Sequence, residues 1–339
     1  MAIAAERIRT ISVTRLHPVI GAEIGGVDLC RPLDAETLRQ IKDAWHEHTV
    51  LLFRGQSLSE DDQRRFASYF GPVAKRVPPK PGATGVGDAP AWNDMMLVSD
   101  KLDANGKPLG TLGHGEMWFH TDKCYHRRPH RVSFLYGIEI PSAGGHTKFS
   151  SMYAAYDRLP ADLKRRLDGA MVMQGQQYGV GRRIDVTLPL ESTHHCRQPI
   201  FVTNPGSGRK ALYVASQNSM WIEGMPRDES EALLQRLFEI AEDPAIIYEH
   251  VWRIGDLIMW DNLACLHART DWPNEQRRTL RRCTVEGEPL YWALSTRLDP
   301  SSRSWPTGPG STQLAASSPL HSLSPIAPKG ADDSFSISM

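Results

Sequence analysis

The stretch IYEHVWRIGDLIMWDN, Ile247 to Asn262, decides the fold class of this chain. Apolar, β-branched and aromatic residues fill both of its halves, and Gly255 interrupts them. The pattern predicts two strands joined by a turn at Gly255. Four further stretches show strand patterns of the same kind: MWFHTD (117–122), RVSFLYGIEI (131–140), GGHTKFSS (144–151) and RRTLRRCTVEGE (277–288).

Helices are predicted outside these strands. The patterns MYAAYDRLPADLKRRLDG (152–169) and RDESEALLQRLFEIAED (227–243) each predict one helix. The remaining patterns predict two short strands in 9–29, an amphipathic helix in 33–49, a buried strand in 50–55 and a helix in 59–71 with Ser59 as its N-cap. We therefore predict an α/β chain with a mainly β core: a double-stranded β-helix, the jelly-roll or cupin-like barrel, with flanking helices.

The composition changes near residue 299. Beyond it Ser and Pro dominate, so residues 300–339 cannot bury enough surface to offset the entropy lost on ordering. We expect one folded domain in residues 1–299 and a mostly disordered Ser/Pro-rich tail in 300–339. Within the domain, residues 75–107 are rich in Pro and Gly, which predicts a long irregular loop of the kind that covers a site.

Charge and cysteine usage narrow the class of protein. The chain has 39 basic and 39 acidic residues, which argues against nucleic-acid or membrane-surface binding through bulk charge. The N-terminus is charged where a signal peptide needs an apolar core, and no window is apolar enough to span a membrane. The five cysteines form no C-x-x-C pair and suit a reduced compartment. We expect a cytoplasmic protein.

Three residues point to metal chemistry. In FHTDKCY (119–125), His120 and Asp122 are two residues apart, so in an extended strand both would face one side. His267, in WDNLACLHART (260–270), would complete a set of two imidazoles and one carboxylate. Such a facial triad is typical of non-haem Fe(II) oxygen chemistry. Because the chain has 13 histidines, one H-x-D pair could also arise by chance.

The segment QRRTLRRC (276–283) predicts anion binding. Strand alternation places Arg278 and Arg282 on one face and Arg277 and Arg281 on the other. For Arg277 and Arg281 we favour solvent-exposed side chains in surface salt bridges. Arginines on an inward face are costly to bury unless anions meet them, and their planar fork suits carboxylates and sulfonates. Arg278 and Arg282 are therefore candidate anion ligands.

The chain as a whole resembles the TauD/TfdA family of Fe(II)- and 2-oxoglutarate-dependent dioxygenases. The matching stretches run in the family's order over roughly residues 10–292: HPVIGAEIGGVDL, VLLFRGQ, FHTD, PSAGGHTKFSS, NPGSGRKALYV and WDNLACLHARTDWPNEQRRTLRR. Each stretch alone is a weak signal, whereas the combination is specific. The resemblance implies the same barrel fold that the strand patterns predict.

The resemblance also implies roles for single residues. His120, Asp122 and His267 match the iron ligands. Thr147 and Arg278 match the residues that hold the cosubstrate 2-oxoglutarate. Such enzymes use O2 to hydroxylate a C–H bond while 2-oxoglutarate loses CO2 and becomes succinate. Related halogenases have a small residue in place of Asp122, so hydroxylation is the expected outcome.

The substrate is predicted only by its class. Arg282 matches the position that meets the substrate's anionic group in several members, which implies a small carboxylate, sulfonate or sulfate ester. Arg76 stands near a substrate-contacting histidine of taurine dioxygenase-like members, with a solvent-exposed loop arginine as the alternative. Asn218 falls where relatives line the substrate pocket. Glu116 replaces an asparagine of the taurine enzymes and either meets a cationic or hydroxylated group or points outward.

Two other classes of protein compete with the dioxygenase. A zinc-dependent hydrolase could use the same two histidines and one carboxylate, but it leaves Thr147, Arg278 and Arg282 unexplained. A non-catalytic anion-binding barrel would have no need of all three metal ligands. Relatives often form dimers or tetramers, so a homo-oligomer is a further expectation.

Overall fold

The structure is a computed structural model that describes residues 10–75, 94–107, 109–177 and 181–290. Within these ranges the strands are β1 Ser12–Arg15, β2 Ala22–Gly25, β3 Val50–Phe53, β4 Met96–Ser99, β5 Met117–His120, β6 His130–Glu139, β7 Thr147–Ser151, β8 Met171–Gln176, β9 His194–Pro199, β10 Phe201–Thr203, β11 Lys210–Leu212, β12 Ser219–Ile222, β13 Ile247–His250, β14 Leu257–Asp261, β15 Cys265–Arg269 and β16 Thr279–Glu286. The helices are α1 Ala35–His48, α2 Glu60–Ser68, α3 Met152–Arg158, α4 Ala161–Leu167 and α5 Arg227–Ala241. None of these helices is long and apolar enough to cross a bilayer.

Two larger sheets form the centre of the fold. A seven-stranded sheet has the order β1-β2-β3-β14-β6-β16-β4, and a four-stranded sheet has the order β13-β7-β15-β5. All neighbours in these two sheets pair antiparallel except β2 and β3, which pair parallel. The mainly β core with flanking helices confirms the predicted fold class. In the described part of the chain the strands form open sheets rather than one closed hydrogen-bonded barrel.

The first four residues of β14, Leu257 to Trp260, are apolar because both faces of the strand are covered. Leu257 and Met259 belong to the core that the seven-stranded sheet shares with α1 and α2. Ile258 and Trp260 point the other way, into a core that includes residues of the four-stranded sheet, where Trp260 contacts Phe149 with ring centroids 5.4 Å apart. The two larger sheets therefore pack face to face, as a jelly roll requires.

The predicted elements of the N-terminal part are confirmed. Ser59 and Asp62 form a capping box, in which each side chain accepts a hydrogen bond from the other residue's backbone N–H. The helix that follows places Phe66 against Phe53 and Phe134, with ring centroids 5.3 and 5.8 Å apart. The turn predicted at Gly255 is also present, with a φ of 82° that favours glycine.

Two predictions about secondary structure are wrong. Residues 152–169 form two short helices, α3 and α4, because Pro160 lacks an N–H and disfavours helical geometry in the residue before it. Residues 75–107 are not loop throughout, since β4 pairs with β16 there. Residues 76–93 of this stretch lie outside the described residues. The proposed boundary at residue 299 and the tail 300–339 also lie outside them and stay predictions.

The prediction for Arg281 is wrong as well. Its side chain is buried and donates hydrogen bonds to Gln63 Oε1 at 2.7 Å and to the backbone carbonyls of Leu58 and Ser59 at 2.7 and 3.0 Å. Strand alternation correctly assigned the arginines to the two faces of β16. It could not show that α2 and the residues before it cover the face that was predicted to meet solvent. Arg277 is exposed, as predicted.

We expect the Arg281→Ala substitution to lower the free energy of unfolding by about 2–4 kcal/mol, because it leaves a buried amide oxygen and a buried carbonyl without donors. The matched change Arg277→Ala should stay within about 0.5 kcal/mol of the parent protein, since that side chain is exposed. Urea unfolding followed by circular dichroism measures both values. Equal stability of the two variants would contradict a structural role for Arg281.

Candidate metal centre

Two paired strands bring the predicted histidines together. His120 ends β5, and His267 is the central residue of β15, directly opposite it in the antiparallel register. The two imidazole centroids are 4.0 Å apart. All five residues of β15 are buried, and this strand was not predicted from the sequence. The register of the pair, rather than either strand alone, places the two rings side by side.

Asp122 reaches the histidines from a turn, not from the strand. β5 ends at His120, and the turn that contains Asp122 continues into Lys123, whose φ is 59°. The argument that residues two apart share a strand face therefore does not hold for Asp122. Its carboxylate is held instead by the Ser133 hydroxyl, which donates to Oδ2, and by the Arg282 guanidinium at Oδ1. One ligand atom from each of His120, Asp122 and His267 lies within 4.8 Å of the others.

The electrostatics of this cluster suit a metal cation. Burial lowers the pKa of His120, and burial together with the neighbouring His120 ring lowers that of His267, so both imidazoles are neutral at neutral pH. Burial alone would raise the pKa of Asp122, but Arg282 and the two imidazoles outweigh it and hold that pKa well below its ordinary value. His120 Nδ1 lies 2.9 Å from the Trp118 carbonyl, which fixes the tautomer and leaves Nε2 free to bind a metal. The donor set fits a divalent ion of the facial-triad type.

Arg278 is a buried cation that lacks a carboxylate partner in the described part of the chain. Only 1% of it is exposed, its Nε donates to the Gly145 carbonyl at 2.9 Å, and its buried Nη1 has no hydrogen-bond partner. Among the described residues no carboxylate lies within 4.0 Å of the guanidinium. Burial, and then the charge of Arg269, lower its pKa to about 9. A buried guanidinium in this state favours an anionic ligand.

The two glycines of PSAGGHTKFSS allow the backbone of this stretch to lie close to Arg278. Gly144 and Gly145 have φ values of 70° and 65°. A Cβ on Gly145 would come within 2.8 Å of Arg278 Cδ, and a Cβ on Gly144 within 2.3 Å of the Asp271 carbonyl oxygen. Only glycine therefore permits both the left-handed backbone and the close contact with the arginine.

Thr147 is buried in β7, on the strand next to His267. Its Oγ1 accepts a hydrogen bond from Trp252 Nε1 at 3.0 Å. The hydroxyl proton therefore remains available for another acceptor. In the register Thr147 pairs with Arg269, two residues after the metal-binding candidate. Because opposed residues of an antiparallel pair share a face, Thr147 lies on the same face of the four-stranded sheet as His267.

Of the predicted substrate residues, Arg282 contacts the cluster directly and Asn218 lies in a segment that is hydrogen-bonded to β5. Arg282 is paired with Asp122, and its Nε is buried without a partner. Asn218 is buried, donates to the Gly175 carbonyl at 3.0 Å and keeps an unpartnered Oδ1. The preceding residue, Gln217, donates its backbone N–H to the Phe119 carbonyl, which fixes this segment beside β5.

The other substrate predictions gain no support. Glu116 is exposed and lines a cavity of about 580 Å³ against Met117, Phe119 and α5, on the opposite face of β5 and β15 from the metal-binding candidates. Arg76 lies outside the described residues. Trp118, on β5, is 41% exposed, whereas Trp260, on β14, is buried.

Sequence reasoning missed two residues that surround the cluster. Ser133, which donates to Asp122, lies on β6 and gives no motif that could reveal it. Arg269 is buried two residues after His267 and could have been found, because strand alternation puts it on the same face as that histidine.

Comparisons with known proteins agree with this geometry. Residues 12–284 match the family model described as Taurine catabolism dioxygenase TauD, TfdA family. Pentalenolactone F synthase of Streptomyces avermitilis is 34% identical over 294 residues, which cover 81% of this chain and 94% of that protein. The alpha-ketoglutarate-dependent 2,4-dichlorophenoxyacetate dioxygenase of Cupriavidus pinatubonensis is 32% identical over 279 residues, covering 80% and 96%. A taurine dioxygenase structure from Burkholderia xenovorans superposes with a TM-score of 0.66 at 28% identity, covering 82% of this chain and 90% of that one.

These matches define the class of enzyme, a 2-oxoglutarate-dependent dioxygenase. The chain belongs to the TauD/TfdA family, because the family model covers most of its length and both relatives named above exceed 30% identity. The predicted resemblance and enzyme class are thereby confirmed. The individual roles of the site residues are a separate question.

We expect the Asp122→Ala substitution to lower the affinity for Mn(II), used as an oxygen-stable probe, by roughly 100-fold, because the only carboxylate of the cluster is lost. Ser133→Ala should cost roughly tenfold, since the hydroxyl only orients that carboxylate. Asp271→Ala, at an exposed carboxylate outside the cluster, is the control. Isothermal titration calorimetry measures all three, and unchanged affinity in Asp122→Ala would remove this residue from the metal site.

Proposed function

We propose that this protein binds Fe(II) through His120, Asp122 and His267 and uses 2-oxoglutarate and O2 to hydroxylate a C–H bond of a small anionic substrate, with release of succinate and CO2. The observation that carries the proposal is Arg278: a buried guanidinium with an unpartnered Nη1 and, among the described residues, no carboxylate within 4.0 Å. A zinc hydrolase gives no reason to keep that charge buried, and a non-catalytic anion-binding barrel gives no reason for the cluster of His120, Asp122 and His267.

The triad would bind a metal ion and leave some of its coordination positions open. Two neutral imidazoles and one carboxylate supply three ligands and one negative charge, so a bound Fe(II) keeps a net positive charge and open positions. When bound, iron and 2-oxoglutarate supply the activation of O2 and the oxidation of the C–H bond. The protein contributes the burial of Asp122 and His267 and the partial burial of His120, which limits the access of water to the reaction.

Arg278 and Thr147 would hold the far carboxylate of 2-oxoglutarate. The guanidinium offers Nη1, and the threonine hydroxyl offers its proton because Trp252 already donates to its oxygen. A carboxylate between them would receive hydrogen bonds from a charged and a neutral donor in a buried setting, where such bonds are strong. It would also offset the cost of burying the arginine without a counter-charge.

Arg282 and Asn218 would contact the primary substrate. Arg282 adjoins the metal ligand Asp122, so an anionic group that it binds would lie next to the reacting centre. The relative from Cupriavidus acts on 2,4-dichlorophenoxyacetate, a carboxylate, which supports an anionic substrate here. Asn218 adds a buried acceptor. Arg76 stays a proposed contact on sequence grounds alone, and no described contact favours Glu116.

Location and assembly are also proposals. None of the five cysteines, all of which lie in the described ranges, forms a disulfide, which suits a cytoplasmic protein. A dimer or tetramer is proposed by family resemblance.

We expect Arg278→Leu to weaken 2-oxoglutarate binding by about 2–4 kcal/mol, the cost of losing a buried charged partner. The free energy of unfolding of the ligand-free protein should fall by no more than about 1 kcal/mol, because the arginine contributes only one hydrogen bond to the fold. The visible charge-transfer band of the Fe(II)–2-oxoglutarate chelate, titrated without oxygen, measures the affinity. Arg277→Leu is the control, and equal affinity in both variants would place the carboxylate elsewhere.

We expect some members of a panel of carboxylates, sulfonates and sulfate esters to increase succinate release in assays without added reductant. None of their neutral analogues should increase it. Arg282→Leu should raise the KM of an active compound by roughly 10- to 100-fold, because a charged hydrogen bond is lost. The same variant should keep its affinity for 2-oxoglutarate. Equal turnover of a neutral analogue would contradict the anionic substrate class.

A further inference from the structure

Arg269 is a second buried guanidinium beside the proposed cosubstrate pocket. It is 9% exposed, and no carboxylate among the described residues lies within 4.0 Å of it. Its Nη1 and Nη2 donate to the backbone carbonyls of Leu112 and Gly115, and its Nε is buried without a partner. Burial lowers its pKa to about 10. Both terminal nitrogens of this buried arginine thus donate to carbonyls of one short segment. These two hydrogen bonds fix the position of that segment.

The segment from Leu112 to Gly115 needs such support. Leu112 has a φ of 59°, which is unfavourable for a residue with a Cβ, and Gly115 has a φ of 107°. The Gly115 N–H donates to Asp271 Oδ1 at 2.9 Å, and the His114 ring packs on Trp272 with centroids 4.5 Å apart. The segment leads directly into β5, whose last residue is His120.

Trp272 connects this segment to the proposed cosubstrate ligand. The Arg269 guanidinium lies 5.0 Å from the centroid of the Trp272 ring, and the Arg278 guanidinium lies 5.3 Å from it. Arg269 also pairs in register with Thr147 on the neighbouring strand. One arginine therefore contacts the aromatic ring beside Arg278, the strand that carries Thr147 and the segment that precedes the metal-binding strand.

We propose that Arg269 is a positioning residue for the cosubstrate pocket: by holding the carbonyls of Leu112 and Gly115 it fixes this segment and Trp272, and so keeps the Arg278 guanidinium in place for the carboxylate. The proposal rests on the proposed function, since it assumes that Arg278 binds 2-oxoglutarate. Arg269 does not touch the cosubstrate itself. The planar fork is essential because a lysine ammonium, although charged, cannot reach both carbonyls in the same geometry.

The test is 2-oxoglutarate binding to the full-length protein loaded with Fe(II) under anaerobic conditions. Arg269→Gln and Arg269→Lys should each raise the dissociation constant about tenfold or more, as loss of an orienting partner does, with Mn(II) affinity unchanged. Hydrogen exchange should speed up at the backbone amides of residues 113–118. Arg277→Gln, an exposed arginine on the same stretch of chain, is the matched control and should behave as the parent protein.

A second variant avoids the risk that loss of a buried arginine disturbs folding. Asp271→Ala removes the exposed carboxylate that holds the Gly115 N–H and should also weaken 2-oxoglutarate binding, without changing the melting temperature by more than the control does. Parent-like affinity in Arg269→Lys with weak binding in Arg269→Gln would mean that the charge alone matters and would overturn the positioning role. Unchanged affinity in both Arg269→Gln and Asp271→Ala would overturn it too.

The outcome for the parent protein separates this inference from the proposed function. If the parent binds 2-oxoglutarate and Arg278→Leu loses it, the proposed function holds, and the Arg269 and Asp271 variants test this inference alone. If the parent binds no 2-oxoglutarate with Fe(II) present, the proposed function and this inference fall together.

Discussion

The direct pairing of His120 with His267 is the constraint on which the site depends. Each histidine is fixed by its own strand, and the two strands are neighbours in the four-stranded sheet. A shift of one residue in the register would turn one imidazole to the opposite face, where α5 and the separate cavity lie. The apolar cores on both sides of this sheet oppose such a shift, because it would expose buried side chains and bury polar ones.

The site also buries positive charge, on the side chains of two arginines. Arg278 and Arg269 both approach Trp272, and the charge of Arg269 contributes to the lowered pKa of Arg278. Two guanidiniums this close repel each other, and the protein compensates only partly, through carbonyl acceptors and the face of an aromatic ring. The buried arginines thus favour the binding of an anion and lower the stability of the fold. Such a trade-off is common where ligand binding, and not folding, determines which residue is used.

The sequence predicted those parts of the molecule that local patterns determine. Alternation and turn residues predicted the two strands around Gly255 and the capped helix at Ser59, because nearest neighbours decide both. The triad was also predicted, since its residue types are distinctive. Arg281 was misjudged because its surroundings come from residues more than 200 positions earlier in the chain. Asp122 was placed by a strand argument, whereas a turn and a hydroxyl from β6 hold it, and no short-range pattern encodes such a contact.

The position of β16 in the seven-stranded sheet affects how the chain can be made. This strand follows every other strand of the described sheets in the chain, yet it lies between β6 and β4, and it follows the residue that completes the triad. Until it arrives, β6 has an open edge and the early part of the chain cannot close its sheet. Such non-local pairing slows folding and exposes strand edges to other chains. The edge of β6 that β16 covers is therefore the expected site of association between incompletely folded chains.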